Sequence, residues 1–316
     1  MRELELLRHI YGSNTSLPDR VTVPPGDDMG AVRIGGEDVL VTVDQVADGI
    51  HVDLASTPLK KVGRKAIARS LSDVAAMGAV PAGAVVAASL PRRFGHQDTK
   101  ALFDVMRQSG AMYDCPLFGG DISIWDHPLL LTVTVLASTA KVAPVSRRGA
   151  KAGDAICVTG ALGGSLETVD GTTHHLDFEP RLQAGRALAL AKNSRRPHCM
   201  IDLSDGLAVD LGHLCREAGL AATVEANQLP ISRAATVASA ADHRPPWLHA
   251  IGDGEDYELC FTIDPAAAHH WISHGIGDVA VTQIGRMIEG DGGPTVRIRR
   301  PDGQVESAAN SGWEHR

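Results

Sequence analysis

The chain has 316 residues and a formal net charge of -8 at pH 7, and hydrophobic residues make up 44% of it. This length is enough for about two domains, and the apolar content excludes a disordered protein that cannot build a core. The acidic balance, with no basic stripe to meet phosphates, argues against a nucleic-acid-binding protein. We also expect no membrane partner, because no apolar run reaches the ~18 residues that a membrane span needs.

Cysteine usage bears on the cellular compartment. The five cysteines are odd in number and scattered, and they form no CxxC pair. Such usage is typical of reduced thiols in the cytoplasm rather than of a disulfide scaffold. The N-terminal segment is charged and amphipathic, and it lacks the apolar stretch of a secretory signal. We therefore expect the protein to be cytoplasmic.

The first half of the chain alternates strand and helix patterns. Val39–Val43 is an apolar run that ends in Asp44, which predicts a buried strand. From Pro58 to Gly78 the apolar residues fall on one stripe, which predicts a helix capped by the glycine. The patterns that follow predict a strand, a helix and two strands in succession, at Ala82–Leu90, His96–Tyr113, Pro116–Phe118 and Leu129–Ala137.

The composition shifts to Lys, Arg, Gly and Pro at residues 141–154, and this shift predicts domains of residues 1–140 and 141–316. The second half begins with a strand at Ala155–Thr159 and a glycine-rich turn at Gly160–Gly164. Helices are predicted at Ser165–Asp170 and Glu179–Lys192. Further strands are predicted at Leu259–Ile263, Val279–Ile284 and Thr295–Ile298. Both halves therefore mix helices and strands.

Carboxylates occur in short groups at the ends of apolar segments, each beside Gly or Ser. These groups contain Asp27 and Asp28, Asp44, Asp73, Asp121, Asp202 and Asp205, and Glu255 and Asp256. Two carboxylates ~4 Å apart repel by about 4 kcal/mol at an effective dielectric of ~20, so a cluster of them needs a cation. Oxygen ligands without His or Cys spacing favour Mg²⁺. Such sites are the usual apparatus of phosphoryl transfer.

Other interpretations of these and neighbouring motifs stay open. Any single Asp here also fits a turn or a helix N-cap, and only the six groups together favour a metal site. Gly160–Ser165 fits a phosphate cradle before a helix or a simple tight turn. His174 and His175 have no carboxylate or cysteine at metal-ligand spacing and are expected on the surface. The chain has no GxxxxGK[ST] loop, and its one GxGxxA string precedes a strand, which is the wrong context for dinucleotide binding.

Several long strings occur in an order that resembles one known family. The most unusual are LSDVAAMG at Leu71–Gly78, IDLSDGL at Ile201–Leu207 and GEDYELCF at Gly254–Phe261. With GDD at 26–28, GGD at 119–121 and RRGAKAGD at 147–154, they resemble the thiamine-monophosphate kinase family. This family belongs to the aminoimidazole-ribonucleotide-synthetase-like ATP-binding superfamily. The resemblance covers most of the chain.

The resemblance implies a set of site residues. The Mg²⁺ ligands it implies are Asp28, Thr42, Asp44, Asp73, Asp121, Asp202 and Asp205. The ATP contacts it implies are Gly120, Asp121, Arg147 and Ser204, and the substrate contacts are His51, Glu255 and Trp313. Several Mg²⁺ ions and ATP as co-substrate follow from the same resemblance. The chain departs from the usual pattern of the family at Val43, Asp48, Val52 and Asp253.

The resemblance also implies a fold and a reaction. The expected fold is α+β with two domains, an N-terminal mixed sheet with helices that forms a homodimer and a C-terminal α/β sandwich. The expected reaction transfers the γ-phosphoryl group of ATP to thiamine monophosphate, giving thiamine diphosphate. The acceptor oxygen is already ionised, so no general base is expected. Two alternatives remain: a superfamily relative with another phosphoryl acceptor, and a non-catalytic protein that binds Mg²⁺ and nucleotide.

Overall fold

The computed structural model describes residues 6, 9–10, 12–13, 16–290, 292–308 and 311–312. Its first sheet has six strands in the order β1-β2-β3-β6-β4-β5. The strand bounds are β1 Val21–Val23, β2 Gly30–Ile34, β3 Glu37–Ala47, β4 Val80–Pro91, β5 Leu117–Trp125 and β6 Leu130–Ser138. All neighbours are antiparallel except β4 and β5, which are parallel. The first half therefore contains the predicted mixed sheet.

The helices of the described residues lie in both halves of the chain. They are α1 Leu59–Ala76, α2 His96–Met112, α3 His174–Asp177, α4 Leu182–Leu190, α5 Leu207–Ala218, α6 Arg233–Asp242, α7 Pro246–Gly252 and α8 Pro265–His274. Two N-caps follow the expected chemistry, since Ser232 accepts the N–H of Ala235 and Asp264 accepts the N–H of Ala266, each at 2.8 Å. No helix in the described ranges is long and apolar enough to cross a membrane.

Helices α1 and α2 cover one face of the first sheet. Period-two alternation along β3 turns Leu40, Thr42 and Val46 towards this face, where all three are buried. Val62, Ile67 and Leu71 of α1 join Leu102 and Met106 of α2 in the same core. The opposite face carries Val43, whose exposed fraction is 58%. The two faces of this sheet therefore differ sharply in exposure.

The second sheet has seven strands in the order β10-β12-β7-β13-β11-β14-β15. Their bounds are β7 Ala155–Thr159, β10 Cys199–Asp202, β11 Ala221–Glu225, β12 Leu259–Ile263, β13 Val281–Ile288, β14 Val296–Arg299 and β15 Val305–Ser307. Ile156 and Val158 pack in one core with α5, whereas Ala155 and Cys157 pack in another with α4 and α8. Helices on both faces make this half a sandwich, and the predicted α+β fold class is confirmed.

Helix α1 belongs to both halves of the molecule. Its apolar stripe lies in the first core, but Ala75 and Ala76 at its end lie in the core that β7, β10 and β12 share with α4 and α8. Ser72 also donates a 2.7 Å hydrogen bond to Asp202 at the end of β10. The helix therefore connects the face of the first sheet to the ends of strands in the second.

The helix predicted at Ser165–Asp170 is wrong. Residues 165–173 instead form a loop and a short hairpin of β8 Thr168–Val169 and β9 Thr172–Thr173. The preceding N–H groups of Gly163 and Gly164 donate to the carboxylates of Asp256 and Asp253 at 2.8 and 2.9 Å. These side-chain acceptors hold the glycine-rich segment as a tight turn, which is one of the two interpretations that its sequence left open. The five cysteines are all free and buried.

Candidate active site

Three carboxylates from distant parts of the chain meet where α1 contacts β10. Asp28 lies in the loop after β1, Asp73 in the last turns of α1 and Asp202 at the end of β10. One oxygen of each lies within 4.8 Å of the others. Thr42, on the covered face of β3, donates a hydrogen bond to Asp73. We call Asp28, Asp73 and Asp202 the carboxylate cluster.

The cluster carries more negative charge than its surroundings balance. Burial raises the pKa of Asp73 well above its usual range, and the charges of Asp44, Asp202 and Asp28 raise it further. Burial and the charge of Asp28 raise the pKa of Asp202 to about 7, although the hydrogen bond from Ser72 opposes this shift. Within the described residues, the buried Oδ2 atoms of Asp28 and Asp44 have no hydrogen-bond partner. Unpartnered buried carboxylate oxygens are what a cation would satisfy.

Arg147 supplies positive charge at one side of the cluster. Its Nη2 donates to Asp28 Oδ1 at 2.6 Å, and its backbone N–H donates to Asp27 at 2.9 Å. Burial disfavours the charged guanidinium, but the charge and hydrogen bond of Asp28, together with the charges of Asp202 and Asp210, outweigh this effect and raise the pKa of Arg147. The side chain therefore stays charged beside the cluster.

The turn after β10 brings two more predicted residues to the same region. Asp210, in the first turn of α5, accepts the N–H groups of Asp205 and Gly206 at 3.1 Å each. The carbonyl of Ser204 accepts the N–H of Glu255 at 2.7 Å. Through these bonds, Ser204, Asp205 and Glu255 lie close together beside the cluster.

Glu255 is held by two basic side chains that the sequence did not point to. Lys65 of α1 is fully buried and donates to both carboxylate oxygens of Glu255 at 2.8 and 2.9 Å. Nδ1 of His175 lies 2.9 Å from the same carboxylate. Burial alone raises the pKa of Glu255, but the hydrogen bond from His175 and the charge of Lys65 outweigh it and lower the pKa to about 2. The prediction that His175 lies on the surface is wrong, because its carboxylate partner comes from a distant part of the chain.

A pocket opens between these residues and the carboxylate cluster. Arg69 of α1 faces it from the first half, together with Ile50 and His51. The second half contributes Leu166, Ser204, Asp205, Asp253, Glu255 and Tyr257. His51 is fixed by the N–H of Ala47, which donates to its Nδ1 at 3.1 Å. We call this space the interdomain pocket.

The four departures from the family pattern have distinct surroundings. Asp253 lines the interdomain pocket, and its Oδ2 lies 2.9 Å from Nδ1 of His249. Asp48 accepts the N–H of Leu54 at 3.0 Å, and Val52 is buried in the first core. Val43 is exposed on the opposite face of β3 from Thr42. Of the four, Asp253 alone lines the interdomain pocket.

Two predicted residues lie away from the cluster. Asp121 is exposed on the edge strand β5, where it pairs with Ala87 of β4. Ala87 pairs in turn with Thr132 of β6, opposite Gln45 of β3, which places Asp121 on the sheet face that α1 and α2 leave open. Gly120 packs so tightly on β4 that a Cβ would come 2.0 Å from the carbonyl oxygen of Val86. Trp313 lies outside the described residues.

Sequence comparisons find relatives that cover most of the chain. The family described as "AIR synthase related protein, N-terminal domain" matches residues 26–139. A thiamine-monophosphate kinase from Rhodopirellula baltica is 35% identical over 294 residues, which cover 90% of this chain and 89% of that protein. A thiamine-monophosphate kinase from Haemophilus influenzae is 30% identical over 335 residues, which cover 100% and 98%. The chain belongs to the thiamine-monophosphate kinase family.

A solved member of the thiamine-monophosphate kinase family has the same fold over its whole length. The structure of AaThiL complexed with AMPPCP and TMP superposes with a TM-score of 0.83 at 26% identity, covering 100% of this chain and 97% of that chain. The family resemblance drawn from the sequence motifs is thereby confirmed, together with the α+β architecture.

Proposed function

We propose that this protein is a thiamine-monophosphate kinase that transfers the γ-phosphoryl group of ATP to the phosphate of thiamine monophosphate. The observation that carries the proposal is the buried carboxylate cluster beside the interdomain pocket. Curated relatives that span nearly the whole chain bear the name of this activity. The solved relative complexed with AMPPCP and TMP supports ATP and thiamine monophosphate as the substrates.

Mg²⁺ is the metal that we propose for the cluster. Asp28, Asp73 and Asp202 would hold it, with Thr42 as a neighbouring oxygen, and their unsatisfied negative charge supports this assignment. Asp44 and Asp205 are proposed as further ligands at its margin. Bound Mg²⁺ supplies charge neutralisation for the β- and γ-phosphate oxygens.

The nucleotide contacts that we propose are Arg147 and Ser204, with Gly120 from the dimer described below. Arg147 keeps its charge at the cluster, where the triphosphate oxygens would meet it. Ser204 lies at the turn between the cluster and the interdomain pocket. Together these groups hold the phosphoryl donor in one orientation, which is most of what phosphoryl transfer requires.

We propose the interdomain pocket as the site of thiamine monophosphate. The thiazolium ring of thiamine is a cation, and Asp205, Asp253 and Glu255 give the pocket acidic walls. Glu255 stays ionised because Lys65 and His175 stabilise its carboxylate. His51 and Trp313 are the other proposed contacts. The acceptor phosphate is ionised at neutral pH, so the chain has no need of a general base.

A homodimer would complete the site. Asp121 lies about 14 Å from β3 across the sheet, since three strand spacings of ~4.8 Å separate β3 from β5. It also lies on the opposite face from Asp44 and Thr42. We propose that a second copy packs on this exposed face and that Gly120 and Asp121 of one copy serve the site of the other. The exposed side chains of Val43 and Phe118 support such a covered surface.

We also propose a cytoplasmic location with small-molecule partners only, apart from the second copy. Five buried free thiols support a reducing compartment. The net charge of -8 supports a protein that binds neither nucleic acid nor anionic membrane.

The direct test is formation of thiamine diphosphate from ATP and thiamine monophosphate, followed by chromatography with and without Mg²⁺. We expect Mg²⁺-dependent product, and we expect Asp73→Asn to lower kcat at least about 100-fold because it removes one charge at the metal. Asp104→Asn on the exposed face of α2 is the control and keeps its activity. ATP binding without product would indicate a relative with another acceptor. Neither binding nor product would indicate a non-catalytic protein.

A further inference from the structure

Three charged residues of α1, Lys65, Arg69 and Asp73, follow a four-residue spacing along the site. Lys65 contacts Glu255, Arg69 contacts Asp44, and Asp73 belongs to the carboxylate cluster. Residues four apart lie on one face of a helix, about 6 Å apart along its axis. Arg69 therefore stands midway between the group that holds Glu255 and the proposed metal ligands.

Arg69 has N–H donors in excess of those that its neighbours use. Its Nε donates to Asp44 Oδ1 at 3.1 Å and its Nη1 to the carbonyl of Gln45 at 3.3 Å. Within the described part of the chain, Nη2 makes no hydrogen bond. Of the described residues that line the interdomain pocket, Arg69 is the one arginine or lysine. An arginine with a spare pair of N–H donors at a pocket wall is suited to bind an oxyanion.

The interdomain pocket therefore has negative and positive side chains in different parts of its wall. Glu255 and Asp253 form an acidic part, and Arg69, one helical turn beyond Lys65, is the cation nearer to the carboxylate cluster. An acceptor with a cationic ring and an anionic phosphate matches this arrangement when its phosphate points to Arg69. In that orientation the phosphate also faces the proposed site of the γ-phosphoryl group, which an in-line transfer requires.

We infer that Arg69 binds the phosphate of the acceptor and selects phosphorylated over unphosphorylated thiamine. This inference rests on the proposed function. Arg69 has no role in the site predicted from the sequence motifs, and its ion pair with Asp44 alone would give it a purely structural role. If Arg69 binds the phosphate, its removal weakens the binding of thiamine monophosphate but not that of thiamine. If its role is purely structural, its removal affects both ligands alike.

The test compares two ligands in Arg69→Gln and Arg69→Lys. The KM for thiamine monophosphate is measured at saturating MgATP, and thiamine is used as the probe without phosphate, through its inhibition constant. We expect Arg69→Gln to raise the KM for thiamine monophosphate about tenfold to a hundredfold, because a charge-assisted hydrogen bond is lost. The inhibition constant of thiamine and the KM for ATP should change by less than about twofold.

Arg107→Gln is the matched control, because Arg107 lies exposed on α2 with only a 4.0 Å pairing to Asp104. If Arg69→Gln does not fold, Arg69→Lys provides the same comparison, with a smaller rise in the KM for thiamine monophosphate. An unchanged KM, or an equal loss of affinity for thiamine, would overturn the inference and leave the proposed function standing. A wild-type protein that makes no thiamine diphosphate would overturn both.

Discussion

The buried charge of Lys65 is stabilised by its ion pair with Glu255. The ammonium group has no exposed surface, and it donates to Glu255 and to the carbonyl of His51 while Nδ1 of His175 lies 2.8 Å away. Burial lowers the pKa of Lys65, and the charge of Glu255 opposes this shift. Removing one member of such a pair leaves the other charge buried without compensation.

We therefore expect Lys65→Met to lower the free energy of unfolding by about 3–5 kcal/mol. Urea-induced unfolding measures this loss, and the exposed Lys100→Met on α2 is the control. The double variant Lys65→Met with Glu255→Gln should be less destabilised than Lys65→Met alone, because no unpaired charge remains. Equal losses in Lys65→Met and Lys100→Met would contradict this account of Glu255.

Metal binding should depend on pH through the cluster. The pKa of Asp202 is about 7 in the metal-free fold and about 3.9 in an unfolded chain. Between these two pH values the folded protein binds more protons than the unfolded chain. The contribution of Asp202 to metal-free stability is therefore full below about pH 4 and is lost as the pH rises through about 7. Mg²⁺ must displace these protons to bind. It therefore stabilises the protein most at a pH above the pKa of Asp202, where the carboxylate is already deprotonated.

The measurement is the gain in Tm on adding Mg²⁺ across this pH range. We expect a larger gain at about pH 8 than at about pH 5.5, since protons compete with the metal at the lower pH. Asp202→Asn should show a small gain that varies little with pH. A wild-type gain that is the same at both pH values would show that Mg²⁺ does not bind at these carboxylates.

The sequence pointed to the acidic residues and to Arg147, but it missed Lys65 and Arg69, the basic partners of Glu255 and Asp44. Asp28, Asp73 and Asp202 stood out because each follows or interrupts an apolar segment beside Gly or Ser. No pattern in the sequence singled out Lys65, whose partner Glu255 is 190 residues away. Local patterns do not carry such pairings, because the partner is fixed only when the two halves pack.

Among the elements, α1 decides most of the geometry of the site. Its crossing with α4 is close, since a Cβ on Gly185 would come 1.9 Å from the carbonyl oxygen of Ala75. Ala75 is two residues beyond Asp73 in the same helix. Any group added at this crossing must push α1 away from the second half, and Asp73 moves with it.

Gly185→Ala should therefore lower stability by about 1–3 kcal/mol and also lower kcat. Gly212→Ala in α5 is the matched control, because its Cβ would meet no backbone atom but only the far end of the Arg216 side chain at 3.2 Å and Val296 Cγ2 at 4.0 Å. Thermal unfolding and steady-state assays of both variants measure the difference. If Gly185→Ala keeps the stability and kcat of the wild type, the crossing does not control the site.

The main elements were predictable where one apolar pattern was long. The helix predicted from Pro58 to Gly78 is α1, and the strands predicted at Ala82–Leu90 and Leu259–Ile263 are β4 and β12. The strand predicted at Pro116–Phe118 is longer in the structure, where β5 ends at Trp125. The prediction stopped too early because the Gly119–Asp121 string interrupts the strand pattern. The helix predicted at Ser165–Asp170 failed because distant carboxylates hold the preceding turn.

At the scale of the whole molecule, the order of strands could not be predicted from the sequence. Strand β6 lies between β3 and β4, and this insertion places Asp121 three strands from Asp44. The division of the chain at residue 140 and the homodimer stay predictions. The exposed sheet face is the observation from which the dimer can be tested.

The test mixes two inactive variants, Asp73→Asn and Asp121→Asn, under conditions that allow subunit exchange. If Asp121 serves the site of the partner, each mixed dimer holds one intact site and one site with both changes. Random exchange makes half of the dimers mixed, so the mixture should recover about a quarter of wild-type activity. No recovery, with mixed dimers present by mass spectrometry, would place Asp121 in the site of its own chain.

The rigid spacing of Lys65, Arg69 and Asp73 has a consequence for which molecules can react. One helix carries all three residues, so the rise of the helix sets the distances between them. The Lys65 contact to Glu255, the proposed phosphate contact at Arg69 and the proposed metal ligand Asp73 therefore cannot move independently. The fixed spacing along the helix therefore restricts the distance between the cationic ring and the phosphate of a reactive acceptor. A molecule whose phosphate is one carbon nearer to its cationic ring, or one carbon further away, should bind without reaching the transferring group and should act as an inhibitor.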